Sequence, residues 1–187
     1  MSLQDARNTP RKDAISLVLT VIGDDRPGLV GQLAAAISEY QGNWLESSMS
    51  HLSGKFAGIV CVGVGAAQAE ALKAALARLS GLRVSCELSA ADDSATTGKR
   101  RLKLSLVGHD RIGIVREVSQ VLARHAINVE DLNTHTASAP MSAEILFHAN
   151  AVLTASPTLD ARALTTDLER LSNDLMVDIT LDETIRT

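Results

Sequence analysis

The order of apolar and polar positions along the chain predicts one small unit of strands and helices. Residues 15–22 are rich in β-branched side chains, and their alternate positions share one apolar face, which is typical of a core strand. After a turn, apolar residues recur at helical spacing over residues 29–40, until a glycine ends the pattern. Residues 43–51 and 56–64 then predict two strands that are joined as an antiparallel hairpin.

The unit closes with a second helix and a fourth strand, and the chain then repeats the whole order. Residues 67–80 combine strong helix formers with an apolar stripe, and residues 82–88 predict a short strand. The expected strands of the second copy are 102–108, 128–136, 143–152 and 176–181, and its expected helices are 113–125 and 159–172. Each copy therefore has the element order β-α-β-β-α-β.

The turn after the first strand is the clearest part of the repeat. The nine residues GDDRPGLVG, from Gly23 to Gly31, return as GHDRIGIVR, from Gly108 to Arg116. The two aspartates Asp25 and Asp110 are 85 residues apart, so turn, helix and following strand recur in register. Two copies of one loop predict two related sites.

Length and composition fit two modules. The chain has 187 residues, of which 45% are hydrophobic and only 2% aromatic, so Leu, Val, Ile and Ala must fill the interior. About 80 to 90 residues per copy suffice for a modest core. We assign a disordered tail to residues 1–13, a first domain to 14–90, a linker of low apolar content to 91–99 and a second domain to 100–187.

A β-α-β-β-α-β unit commonly folds as a ferredoxin-like sandwich. We therefore predict an α+β protein of two ferredoxin-like modules, each a four-stranded antiparallel sheet with two helices on one face. The other face of the sheet lacks cover, and packing through that face or through strand edges would join modules together. We expect a homo-oligomer on this basis.

Charge and sequence pattern exclude several classes of function. The net charge of −4 and the isoelectric point near 5.7 disfavour direct binding to nucleic acid, which normally requires a basic surface. A basic cluster at residues 99–103 is interpreted as a solvated linker that runs into a strand. The sequence shows no membrane-length apolar run and no signal peptide, and its two cysteines lie in predicted strands, so a cytoplasmic protein with reduced thiols is expected.

The repeated loop resembles a known family. Asp-Arg-Pro-Gly-Leu-Val between an apolar strand and a helix, with Gly-Asn opening the next strand, resembles the ACT domain, a small regulatory module that senses amino acids. The second copy resembles the same motif, and the two copies cover nearly all of the chain after the tail. A chain of two such modules is similar to the glycine cleavage system transcriptional repressor family.

This resemblance implies a non-enzymatic regulator that responds to glycine or a similar small amino acid. It also implies repression or co-regulation of glycine cleavage through a partner transcription factor, a LysR-type activator, rather than through DNA. A detached regulatory subunit of an amino-acid biosynthetic enzyme is the alternative, because the same loops and fold would explain it equally well.

The loop suits a zwitterion, because N–H groups at a helix N-terminus attract a carboxylate and glycine permits close approach. The ammonium group needs acceptors, which the loop aspartates and the asparagine of the neighbouring strand could supply. The candidate ligand-binding residues are Asp24, Asp25, Pro27, Gly28 and Asn43 in the first copy, and His109, Asp110, Ile112, Gly113 and Asn128 in the second.

Each candidate also has a purely structural interpretation. The loop aspartates Asp25 and Asp110 could be helix N-caps, and the asparagines Asn43 and Asn128 could serve only a left-handed turn after the helix. The loop arginines, Arg26 and Arg111, are set aside as solvated or weakly paired. The two loops differ in sequence, so equal binding is not expected.

The sequence contains no convincing catalytic or metal-binding constellation. Four of the five histidines fall in the second copy, but none has the helical spacing or the companions of a metal ligand pair. The serines between residues 47 and 53 lack the motif of a nucleophile elbow. A small enzyme that uses His109 or Cys61 is the remaining alternative, and no cofactor is expected.

Overall fold

The structure is a computed structural model that describes residues 14–89, 98–139 and 144–184. The chain divides into two units, residues 1–94 and 95–187, and we call their described parts the first and the second module. The predicted tail at 1–13, most of the predicted linker at 91–99, and the first residue of the predicted strand 143–152 lie outside the described residues.

Both modules have the predicted order of strands and helices. The first contains β1 (Ala14–Asp24), α1 (Leu29–Glu39), β2 (Asn43–Leu52), β3 (Lys55–Gly65), α2 (Ala66–Leu76) and β4 (Leu82–Leu88). The second contains β5 (Arg100–His109), α3 (Ile114–Arg124), β6 (Asn128–Ser138), β7 (Ile145–Ala155), α4 (Ala161–Leu175) and β8 (Val177–Thr184). The prediction of an α+β fold with two βαββαβ modules is confirmed.

Each module contains one four-stranded sheet in which all paired strands are antiparallel. The strand orders are β2-β3-β1-β4 and β6-β7-β5-β8, so β1 and β5 are central and each pairs on both sides. The loop that follows each central strand therefore starts from the middle of one end of its sheet. The two predicted ligand loops occupy equivalent positions in the two modules.

The core of each module is aliphatic and lies between the sheet and its helices. Alternate residues of β1, Leu17, Leu19 and Val21, are completely buried, as the period of two predicts. Helices α1 and α3 bury the residues that recur at helical spacing, among them Leu33 and Ile37 in α1. In the described parts of the chain, no helix is both long enough and apolar enough to span a bilayer.

The basic cluster at residues 99–103 is not simply solvated, because its arginines belong to β5 and have acidic partners. Arg100 donates to Glu183 of β8 from Nε and Nη2, at 2.8 and 2.9 Å, and from Nη1 to the Leu159 carbonyl at 3.0 Å. This contact lowers the pKa of Glu183 and raises that of Arg100. Arg101 lies 3.5 Å from Glu130 of β6. The cluster thus runs into a strand as predicted, and Lys99, Arg101 and Lys103 are exposed, but the two arginines also have acidic partners.

Candidate functional site

The two loops share an unusual backbone. Gly28 and Gly113 are the N-cap residues of α1 and α3, with φ and ψ of 90° and −1° in the first and 95° and −3° in the second. These angles lie in the left-handed region, where a side chain would be strained. The preceding residues, Pro27 and Ile112, are exposed turn residues. Both glycines are therefore required by backbone geometry.

Neither loop aspartate caps its helix. Asp25 and Asp110 lie three residues before the N-cap glycines, and α1 and α3 have no side-chain cap. Helix α4 shows the contrast, because the Asp160 side chain accepts from the N–H groups of Arg162 and Ala163 at 3.0 and 3.1 Å. The capping interpretation is therefore wrong, and the positive ends of α1 and α3 remain open to an anion.

The first loop is anchored to the hairpin between β2 and β3. The Asp25 N–H donates to the Gly54 carbonyl at 2.9 Å, while its side chain is exposed. Lys55 donates to the Asp24 carboxylate, and this hydrogen bond is the main reason that the pKa of Asp24 is lowered. Lys55 is a loop partner that the sequence analysis missed, since it lies 31 residues away in sequence.

Arg26 connects the first loop to two other elements. Its Nη2 atom donates to the Gln32 side-chain oxygen at 3.0 Å and to the Ser80 carbonyl at 2.9 Å. Gln32 also donates to the same carbonyl, at 3.3 Å. A side chain at Gly81, where φ is +78°, would lie 3.0 Å from the arginine. Arg26 is thus exposed, as expected of a solvated arginine, and it also bridges the loop to the turn before β4.

A groove borders this first loop at the end of the sheet. Its volume is about 310 Å³, and it is lined by Ile22, Gly23, Asp24, Lys55, Gly81, Leu82 and Arg83. The lining includes one carboxylate and two cationic side chains, so both signs of charge are available beside the loop. Gly81 lines the groove and also lies next to the Arg26 side chain. The groove therefore borders the residues that Arg26 contacts.

The second loop is anchored in the same way but has different side-chain contacts. The Asp110 N–H donates to the Ile145 carbonyl at 3.0 Å. His109 Nδ1 lies 3.9 Å from the Glu144 carboxylate, and Ile112 is fully exposed. Backbone attachment to the neighbouring strand region is therefore common to both loops, whereas the side chains around it are not.

The arginine of the second loop is neutralised locally. Arg111 Nη2 donates to Glu117 at 2.7 Å, and its Nε atom is buried without a hydrogen-bond partner in the described residues. Glu117 occupies the position that Gln32 has in the first module, 85 residues earlier. The neutral amide and the carboxylate give the two loop arginines different electrostatic surroundings. The repeat spacing could have revealed this difference from sequence.

The structure does not bring Asn43 to the loop of its own module. Asn43 starts β2 and pairs with Gly63, which pairs with Ser16 near the start of β1. The loop begins after Asp24, eight residues further along β1, which corresponds to about 26 Å of strand. One amino acid therefore cannot contact both Asn43 and the loop within the first module.

The second asparagine is placed equivalently. Asn128 pairs with Thr154, which pairs with Arg101 near the start of β5. The left-handed residues after the helices are Gln41 and Ala126, with φ of 57° and 52°, rather than the asparagines. Both earlier interpretations of the asparagines are thus corrected: neither shares a site with its own loop, and neither serves the left-handed turn.

The remaining reactive side chains do not assemble into a metal centre in the described residues, where no three His, Cys, Asp or Glu groups converge. Cys61 and Cys86 are free, half-buried thiols, and burial raises the pKa of Cys86. The rings of His135 and His148 stack with centroids 4.7 Å apart. All four side chains belong to strands of the sheets.

The family model of the ACT domain matches residues 16–85 and 100–182 of the chain. This protein belongs to the ACT domain family. The two matches together cover most of the chain, and they coincide with the two modules. The chain is thus a tandem of ACT regulatory domains, which generally bind amino acids and form oligomers.

Two solved structures share the tandem ACT architecture. A protein of unknown function from Galdieria sulphuraria is 31% identical, with 92% of this chain and 99% of that chain covered and a TM-score of 0.80. A candidate glycine cleavage system transcriptional repressor is 18% identical, with the same coverages and a TM-score of 0.69. The second likeness shows the fold alone. No curated protein sequence matches the chain.

Proposed function

We propose that this ACT protein is a non-enzymatic, amino-acid-responsive regulator, and that the first loop with its groove is the main ligand site. The observation that supports this site most directly is the hydrogen bonding of Arg26. This arginine bonds to a neutral amide and a backbone carbonyl beside the uncapped end of α1. Among the described residues no carboxylate engages this guanidinium, and such a group next to open helix N–H groups favours binding of a ligand carboxylate.

The ammonium group of the same ligand has acceptors close by. Asp25 presents an exposed carboxylate from the loop, and Asp24 lines the groove together with Lys55. A zwitterion needs both signs of charge within a few ångströms, and the first loop offers both. The second loop has a weaker claim to a carboxylate, because Glu117 engages Arg111.

Calorimetric titration of the full chain with the twenty amino acids tests this proposal. The variants Gln32→Glu and Glu117→Gln exchange the side chains that distinguish the loops. Gln32→Glu is expected to weaken binding about tenfold, equivalent to about 1.4 kcal/mol, while Glu117→Gln should add affinity at the second loop. Gln68→Glu, an exposed glutamine on α2, is the matched control for charge.

Two results would contradict the assignment of the site. Absence of binding by any amino acid would reject sensing altogether. Equal binding by wild type and Gln32→Glu would retain sensing but remove Arg26 and its surroundings from the site. Asp25→Ala then tests the loop aspartate separately, because it removes the proposed ammonium acceptor. This variant should weaken binding without changing the fold of the loop, since the Asp25 side chain does not cap α1.

We propose further that the protein represses or co-regulates glycine cleavage through a partner transcription factor of the LysR type. The acidic net charge of −4 supports a protein partner rather than DNA. Amino-acid control requires that the ligand change the affinity for that partner. Affinity capture with and without glycine should recover a transcription factor in a ligand-dependent manner. Recovery of an amino-acid biosynthetic enzyme instead would favour a detached regulatory subunit.

Copies of the chain are proposed to associate. The strand β6 is exposed along its whole length and β2 along most of it, and exposed strand edges promote pairing with another chain. Sedimentation equilibrium should show a species larger than 19.8 kDa. A monomer at all accessible concentrations would reject this part of the proposal.

A further inference from the structure

The groove beside the first loop has one positive charge in excess. Its charged lining residues are Asp24, Lys55 and Arg83. Lys55 donates to the Asp24 carboxylate, so these two charges neutralise each other. Arg83 is exposed, and in the described parts of the chain its side chain has no hydrogen-bond or ion-pair partner. Its guanidinium is therefore available to an anionic group that enters the groove.

Strand pairing places the three charged side chains on one face of the sheet. Lys55 pairs with Asp24 across β3 and β1. Arg83 pairs with Ile22, two residues before Asp24, across β4 and β1. Residues directly opposite each other share a face, and Ile22 and Asp24 alternate with the buried residue Val21. The charged groups therefore lie on the face opposite to the core, and the Cβ atoms of Arg83 and Asp24 are about 7 Å apart, the usual diagonal spacing. A carboxylate can thus approach Arg83 without contacting Asp24.

The groove is continuous with the surroundings of Arg26. A Cβ atom at Gly81 would lie 3.0 Å from the Arg26 guanidinium, and Gly81 also lines the groove. A ligand whose α-carboxylate lies at Arg26 can therefore extend its side chain into the groove. The groove volume of about 310 Å³ is at the lower end of the range for small-molecule sites. Glycine, which has no side chain, would leave this space to water.

The second module has the opposite charge at the equivalent positions. Asp178 pairs with β5 at the position where Arg83 pairs with β1. Leu146 likewise holds the position of Lys55. Two cationic side chains are thus replaced by one anionic and one apolar side chain. An anionic ligand group would therefore be attracted in the first module and repelled in the second.

We propose that the first-loop site prefers an acidic amino acid, aspartate or glutamate, and that Arg83 binds its side-chain carboxylate. This inference rests on the proposed function, because the loop would hold the α-carboxylate and the ammonium group. Arg83 can bind a carboxylate through two parallel N–H···O hydrogen bonds. Lys55 supports this binding by neutralising Asp24, which would otherwise repel the second carboxylate. Arg83 is thus a specificity-determining residue of the site.

The test is a calorimetric titration of the full chain with L-glutamate, L-glutamine and glycine, and with L-aspartate and L-asparagine as a second matched pair. Each acid has nearly the same shape as its amide, so the ratio of their affinities reports the charge of the groove. We expect the preferred acid to bind about tenfold more tightly than its amide, because hydrogen bonds between charged groups are stronger than neutral ones. Arg83→Gln should remove this preference and leave the affinity for glycine unchanged. Arg78→Gln, at an exposed arginine that does not line the groove, is the matched control.

Reversal of the charge at Arg83 sharpens the test. Arg83→Asp introduces the residue of the second module and should make the amides bind more tightly than the acids. Wild-type protein that binds both acids no more tightly than their amides would overturn the inference and leave amino-acid sensing intact. A preference for an acid that persists in both Arg83 variants would overturn it as well. Absence of binding by any amino acid would reject the proposed function, and this inference with it.

Discussion

The two β–α loops have nearly the same backbone but different side-chain chemistry. The N-cap glycines differ by only 5° in φ, from 90° at Gly28 to 95° at Gly113. In the first module Arg26 donates to the Ser80 carbonyl in the turn before β4. In the second module Arg111 donates to Glu117 of α3, the helix that follows its loop. The comparison teaches that the two copies of the loop keep one backbone geometry, while single side chains next to the loop change the electrostatic surroundings of its arginine.

Trp44 of β2 and Val129 of β6 occupy equivalent positions on the two edge strands, and substitutions there should show the largest difference in stability between the modules. Trp44→Val reproduces the second module inside the first and should destabilise it by about 3 kcal/mol, since large-to-small substitutions in a core leave a cavity. Urea unfolding followed by circular dichroism measures this change. The reciprocal Val129→Trp is expected to be neutral or stabilising. Equal destabilisation by both variants would show that the two positions are not equivalent.

The shared glycine geometry should respond identically in both modules. Gly28→Ala and Gly113→Ala each force a side chain into the left-handed region and should cost about 1–2 kcal/mol. Gly31→Ala in α1 is the control, because it lies within a helix with open space around it and should stabilise by about 0.5–1 kcal/mol. Thermal unfolding distinguishes them. A much smaller cost at one glycine would break the equivalence of the loops.

Substitution of the two loop arginines should change hydrogen exchange over regions of different extent. Arg26→Ala removes the bridge to the turn before β4 and should raise hydrogen exchange around Gly81, with a loss of about 1 kcal/mol. Arg111→Ala removes an ion pair that is partly exposed and should cost at most about 1 kcal/mol, with changes confined to α3. Exchange that rises equally in the corresponding turns of both modules would contradict the contrast.

The smallest expected effect is a loss of stability at low pH. The pKa of Asp24 is lowered in the first module by Lys55, and those of Asp167 and Glu183 are lowered in the second, chiefly by His125 and Arg100. A lowered folded-state pKa stabilises the fold above the ordinary value and loses that contribution as pH falls. The ordinary values are 3.8 for Asp and 4.5 for Glu. Stability should therefore decline below these values.

The second module has two such carboxylates and the first has one, so acid should weaken the second module more. Methyl resonances assigned to each module report its unfolding during an acid titration. The variants Asp167→Asn and Asp24→Asn should each flatten the pH dependence of their own module only. A steeper acid response in the first module would contradict this order.

Periodicity and the internal repeat were enough to predict the elements, because alternating and helical apolar patterns depend on local sequence. They also identified the glycines, since the loop returns after 85 residues. The contact of Arg26 with Ser80 spans 54 residues and depends on packing of the turn before β4, so no local pattern shows it. The placement of Asn43 required the sheet order, because β2 begins at the end of the sheet opposite to the loop.

The ion pair between Arg100 and Glu183 has a consequence for folding of the tandem chain. In the first module the equivalent positions are Ile15 and Leu88, both apolar. If β8 paired with β1 in place of β4 during synthesis or refolding, Glu183 would lie beside Ile15. If β4 in turn paired with β5, Arg100 would lie beside Leu88. Tandem modules of the same topology are prone to such exchange of strands. The charged pair in one module and the apolar pair in the other therefore favour correct partner choice, even though an exposed ion pair adds little to final stability.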